Sequence, residues 1–139
     1  MGPFKIVRLV ARRELAVGMQ GVVRQAALVA QRVALEQRVI ARWDALIHRD
    51  FATAYSFTSP GYRKLYSLDI FKSGFGNKVA WQRIEVVDIE FKGSDAAVVG
   101  VNIHATYDSL QTQKTIDMQS YVHESWVLVD GQWWYLVKN

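Results

Sequence analysis

Hydrophobic and polar positions repeat with two different periods along this chain, and the change falls near Val79. Before it, apolar residues recur every three or four positions. Val33, Leu35, Val39, Ile40, Trp43, Leu46 and Ile47 make one such stripe, with Arg32, Glu36, Arg38, Arg42, Asp44, His48 and Arg49 supplying most of the polar remainder. That spacing predicts an amphipathic helix over residues 31–51. Asp50 then stands where an N-cap would open a second short helix toward Tyr55. Ser59-Pro60 is the pairing of cap and first helical residue that opens a third, to about Tyr66. A further short helix fits residues 67–72, and the glycines of Ser73-Gly-Phe-Gly-Asn77 predict a loop.

From Val79 onward the period is two. Strands are predicted over residues 81–91, 96–107, 115–129 and 132–137, with turns at Lys92-Gly93-Ser94-Asp95 and Asp108–Gln113. Asp130-Gly131 lies between two runs of aromatic and β-branched residues, the strongest short-range signal for a hairpin. A two-residue loop there sets Val129 opposite Gln132, Leu128 opposite Trp133 and Trp126 opposite Tyr135. Val122, Trp126, Leu128, Trp133, Tyr135 and Val137 then share one face. So large an apolar face must be covered, and the helical first half is what can cover it. Helices followed by an antiparallel meander describe an α+β fold. The expectation is a long N-terminal helix and two or three short helices, packed in the concave face of a curved four-stranded antiparallel sheet.

Composition adds limits. With 139 residues, half of them hydrophobic and 22% charged, the chain is long enough for one domain with a sizeable core. Cysteine is absent, which excludes disulfides, zinc–thiolate sites and cysteine nucleophiles. The net charge of +4 is unevenly placed: residues 1–42 hold eight basic residues against two acidic, and the rest holds nine against eleven. The basic character belongs to the N-terminal arm, so no nucleic-acid surface is expected on the domain. Arg8, Arg12, Arg13, Gln20, Arg24 and Gln25 interrupt the arm before it reaches the ~18–20 apolar residues that cross a bilayer. Three readings of it stand. It is a helix running into the domain, a basic amphipathic segment on an anionic membrane, or an arm disordered in isolation or left by a mis-set start before Met19. The organisation expected is an arm or helix over residues 1–30 and a domain over 31–139, in the cytoplasm, with peripheral-membrane or exported locations left open.

Ala41-Arg-Trp-Asp-Ala-Leu-Ile-His-Arg-Asp-Phe-Ala-Thr-Ala-Tyr55, Ser59-Pro-Gly-Tyr-Arg63 and Glu124-Ser-Trp-Val-Leu-Val-Asp-Gly-Gln-Trp-Trp-Tyr135 together resemble the nuclear-transport-factor-2-like superfamily. The resemblance covers roughly residues 35–139. It implies a cone, with a curved sheet wrapped around a long helix and shorter ones. Its motifs are structural, and the catalytic arrangements of the superfamily's enzymes have no counterpart here, so function rests on the site.

Glu124 is the residue of most interest. It shares strand parity with Val122, Trp126 and Leu128, so a carboxylate enters the apolar face, where an unpaired charge costs several kcal/mol. One reading is a structural ion pair with Arg63. The other is a general acid or base at the floor of the cone. Trp43, Tyr55, Tyr62, Tyr66, Trp81 and Trp126 are the expected wall of a pocket for a small apolar ligand, against ordinary core packing. His48, His104 and His123 share no metal-ligand spacing, and neither metal nor cofactor is expected. Tyr121, Val127, Trp134 and Leu136 make the opposite sheet face too apolar to stand open, which predicts a homodimer through it, with the arm folding back as the competing cover. The function these features predict is a non-catalytic ligand-binding or interaction domain. A cofactor-free isomerase, cyclase or dehydratase using Glu124 is one alternative, and a membrane-associated assembly subunit another.

Overall fold

The structure, a computed structural model, describes the backbone of residues 3–138 and the side chains of residues 19–138. The chain divides into two units, Met1–Ala34 and Leu35–Asn139. Helix α1 runs from Pro3 to Ile47. In the first unit the described apolar side chains, Met19, Val22, Val23, Leu28, Val29 and Val33 among them, are exposed. No helix among the described residues is long and apolar enough to cross a membrane.

The second unit is α+β. Just past the end of α1, Arg49 takes a left-handed φ of 57°, with Arg49 N–H donating to Leu46 O and Asp50 N–H to Ala45 O. Three one-turn helices follow: α2 (Phe51–Ser56), α3 (Pro60–Leu65) and α4 (Leu68–Ser73). Each opens on a polar cap. Asp50 accepts from Thr53 N–H, Ser59 from Tyr62 N–H and Ser67 from Ile70 N–H, and Pro60 starts α3. Strands β1 (Val79–Lys92), β2 (Ala96–Asp108), β3 (Thr115–Val129) and β4 (Gln132–Tyr135) follow as one antiparallel sheet in that order.

Local chemistry sets the sheet's shape. Asp130 and Gly131 take φ of 51° and 77°, the paired left-handed residues a two-residue hairpin demands. The expected register follows, with Trp126 opposite Tyr135 and Leu128 opposite Trp133. Irregularities between Trp81 and Arg83 and between Val86 and Asp88 interrupt β1 pairing, and such bulges bend a strand and increase its twist. The outer edge of β4 is closed by the segment after α2: Tyr135 N–H donates to Phe57 O and Ser59 N–H to Tyr135 O.

The concave face holds the core. Val99, Val101 and Trp126 are fully buried, with Trp133 nearly so, against Leu35, Val39, Trp43 and Leu46 of α1. Each buried tryptophan removes ~150–250 Å² from water, roughly 4–6 kcal/mol of gross hydrophobic stabilisation. The helical stripe expected from sequence is corrected at three positions. Val33 and Ile40 are about half exposed, at 49% and 48%, whereas Arg42, expected among the polar positions, is buried at 4%. Helical residues advance by about 100° each, so Leu35, Val39, Arg42, Trp43 and Leu46 share one side and Ile40 falls well outside it.

Candidate functional site

Glu124 is 3% exposed, and its inward parity on β3 is the one its sequence position predicts. Its partner is not Arg63. Arg42 of α1 places Nη1 at 3.1 Å from Glu124 Oε2, and Trp43 donates its indole N–H to the same oxygen at 2.7 Å. Trp126 donates to Oε1 at 3.2 Å. Arg63 instead gives its Nε–H to Thr58 O at 3.1 Å. The difference has a simple cause: Arg42 and Trp43 project from the helix that lies on the sheet, while Arg63 sits on α3, whose approach ends at the β4 edge.

The Arg42 guanidinium lies 3.6 Å from the centroid of the Tyr135 ring. Its Nε is buried and meets no acceptor. Arg42 also lines two open clefts. One, of about 380 Å³, is walled by Tyr62, Tyr66, Phe71 and Tyr135, with Val137 and Lys138 beside them. The other, of about 270 Å³, reaches Trp43, Leu46, Ile103 and Glu124. Arg42, Phe75, Tyr135 and Lys138 belong to both, so the two clefts share a wall.

The aromatic side chains expected around a pocket divide three ways. Tyr62, Tyr66 and Trp43 line these clefts. Trp81 lines a separate depression of about 200 Å³ with Ile47, Arg49 and Asn77. Tyr55 and Trp126 line neither cleft: the Tyr55 hydroxyl donates to Tyr66 O at 2.5 Å, and Trp126 is fully buried behind Glu124. Tyr62, Tyr66, Phe71, Phe75, Trp81 and Trp43 form a continuous chain of ring contacts with centroids 4.8–6.4 Å apart. Burial, first of all, holds the Tyr62 and Tyr135 phenols above the ordinary tyrosine range. At Tyr135 Arg42 pulls the other way and Glu124 adds to the rise.

Sequence reasoning missed Arg42, Phe71, Phe75, Tyr135 and Lys138 as cleft residues. Tyr135 carried a signal, being already on the inner strand parity. Arg42 carried a weaker one: it falls on the same helical side as Leu35, Val39 and Leu46.

On the convex face, Tyr121 and Leu136 are 48% and 37% exposed. Tyr121 lies across Gly100 to donate to Asp88 at 3.0 Å, and its ring meets His123 edge-on. Val127 and Trp134 are half-buried. Trp134 does not stand open, because the Arg38 and Arg63 guanidiniums each lie 5.0 Å from its ring centroid. His104 contacts Glu85 and His48 contacts Asp44, and no cluster of metal-ligating side chains exists among the described residues.

No protein-family model matches the chain, and no curated protein matches it. Solved structures do. The association domain of C. elegans CaMKII superposes with a TM-score of 0.50 at 18% identity, over 76% of this chain and 91% of that one. Aln2 from a Streptomyces species gives 0.52 at 13% identity, over 76% and 85%. Both have the nuclear-transport-factor-2-like fold, and at these identities the likeness shows that fold alone.

Proposed function

We propose that the second unit is a ligand-holding domain whose paired clefts take a small, flat, apolar molecule bearing an acidic group. The observation that carries this is Arg42 Nε, a buried donor without an acceptor in a residue that walls both clefts. A buried unsatisfied N–H costs about 1–3 kcal/mol, which a ligand oxygen recovers by displacing the groups that now close Nε off from the cleft. Around it, Tyr62, Tyr66, Phe71 and Tyr135 offer ring surface, and a volume of about 380 Å³ falls within the ~300–1,000 Å³ typical of small-molecule sites. Glu124 answers one of the positive charges of Arg42 and Lys138, so the lining keeps a positive surplus.

Holding is favoured over proton transfer because Glu124 is engaged on both oxygens by Arg42, Trp43 and Trp126. A general base needs a free lone pair directed at the ligand, and these donors direct the carboxylate into the protein. Calorimetric titration with aromatic carboxylic acids and their neutral amides tests the reading. Acids should bind and amides should not, and Lys138→Glu should weaken the acids. Equal binding of both, or of neither, rejects it.

Assembly is a second reading, favoured by the exposure of Tyr121 and Leu136 on the convex face. A homodimer through Tyr121, Val127, Trp134 and Leu136 predicts that Leu136→Glu yields a monomer in sedimentation. An unchanged mass for that variant removes it.

A further inference from the structure

Arg38 and Arg63 converge on one indole at the β4 edge, away from the clefts. Arg38 of α1 gives its Nε–H to Trp133 O at 2.9 Å, and its guanidinium lies 4.4 Å from the Phe57 ring centroid and 5.0 Å from that of Trp134. Arg63 of α3 is anchored in the same way, through Nε–H to Thr58 O, and also lies 5.0 Å from the Trp134 centroid. In both residues the Nε donor is spent on backbone, which fixes the fork and leaves the terminal nitrogens to other partners. Arg38 Nη2 is buried and has no acceptor at all.

Charge makes this arrangement incomplete. Neither guanidinium has a carboxylate within ion-pair distance among the described residues; the buried acid nearby, Glu124, is held by Arg42. Two like charges sharing one aromatic ring repel, and partial burial, with the proximity of Arg63, holds the Arg38 guanidinium below its usual pKa. Stacking on Phe57 and Trp134 compensates each cation in part, but it leaves the repulsion and the orphan Nη2 donor untouched. An oxyanion relieves the repulsion, since planar guanidinium forks match carboxylate and phosphate oxygens; Arg38 Nη2, which is closed off from solvent, gains an acceptor only if the side chain shifts on binding.

We infer that Arg38, Arg63 and Trp134 form a second, separate binding site, for the carboxylate or phosphate group of a ligand or partner. Arg38, Arg63, Phe57 and Trp134 are all only half-buried as residues, so an oxyanion arrives from solvent at the exposed part of the two forks, Arg38 Nη2 excepted. The inference does not depend on what the clefts hold.

The test is an NMR titration of the whole chain, following the arginine Nε–H and tryptophan indole signals. Inorganic phosphate and acetate are added separately, with sodium chloride at matched ionic strength as the reference. The site predicts saturable shifts of the Arg38, Arg63 and Trp134 signals with phosphate, acetate or both, beyond those with chloride. Which anion binds more tightly distinguishes a phosphate group from a carboxylate. Arg63→Gln should weaken binding at least tenfold. Arg63→Lys, which keeps the charge and loses the fork, should weaken it to an intermediate degree. Lys138→Glu, at the clefts, should leave this titration unchanged while it weakens aromatic acids there. Identical responses to phosphate, acetate and chloride, or undiminished binding in Arg63→Gln, overturn the proposal. Should Arg63→Gln fail to fold, the comparison of anions on the unaltered chain decides alone.

Discussion

Trp43 donates its indole N–H to Glu124 at 2.7 Å, joining the helix to the third strand across 81 positions of sequence. The neighbouring Arg42 reaches the same carboxylate oxygen. One buried acid thereby fixes the rotation of α1 on the sheet, and with it the side chains that wall the clefts.

Removing one charge of that group should cost more than removing both. Glu124→Ala leaves the Arg42 guanidinium buried without its counter-ion, and a loss of ~3–5 kcal/mol is expected. Arg42→Met combined with Glu124→Leu should recover the ionic part of it, because an apolar pair carries no charge-desolvation penalty, while the Trp43 and Trp126 indole N–H groups still lose their acceptor. Urea unfolding of the three proteins measures this. A double variant as unstable as Glu124→Ala would show that the charges do more than compensate each other.

Trp43→Phe keeps an aromatic ring in the core and deletes one donor to Glu124. The expected cost is ~1–3 kcal/mol, the penalty of an under-satisfied buried acceptor. If unfolding midpoints do not move, the 2.7 Å contact contributes nothing to stability.

Gly100 is buried on the convex side because Tyr121 lies over it. A Cβ there would fall 2.1 Å from both the Tyr121 hydroxyl and Asp88 Oδ1. Gly100→Ala should therefore swing Tyr121 off the sheet and break its bond to Asp88. That bond, more than desolvation or the charge of Asp88, holds the Tyr121 phenol above its ordinary range. In the variant it should titrate near the usual value of about 10, as NMR of the ring would report. An unchanged Tyr121 titration contradicts the geometry.

Alkaline pH should weaken the fold through Tyr62 and Tyr135. Both phenols have folded pKa values raised, chiefly by burial. Their contribution to stability is complete below the unfolded value of about 10 and is lost as pH rises through the folded values. Phenolate absorbance should show Tyr62 and Tyr135 ionising above a pH of about 10, together with a falling melting temperature. Ionisation of Tyr62 and Tyr135 at or below a pH of about 10 would refute the assignment.

Elements and strand register were legible because they depend on near neighbours. Ser59-Pro60 opens α3, Asp130-Gly131 turns the last hairpin, and alternation along β3 puts Glu124 inward, whatever the rest of the chain does. The partner of Glu124 was not legible. Choosing between Arg42 and Arg63 requires knowing how far the helix is rolled on the sheet and where α3 meets the β4 edge. Ile40 misled for the same reason, since a stripe drawn every three or four residues is wide enough to include positions on either flank.

By itself, then, the order of residues determined the periods, the caps, the turns and which strand face is apolar, for these follow from backbone geometry and the solubility of adjacent side chains. Only the assembled layers decided that Arg42 is buried, that Tyr135 and Phe75 wall the clefts, and that Arg38 and Arg63 share Trp134. Those relations join residues far apart in sequence, and their energies are set by packing and desolvation that no local pattern encodes.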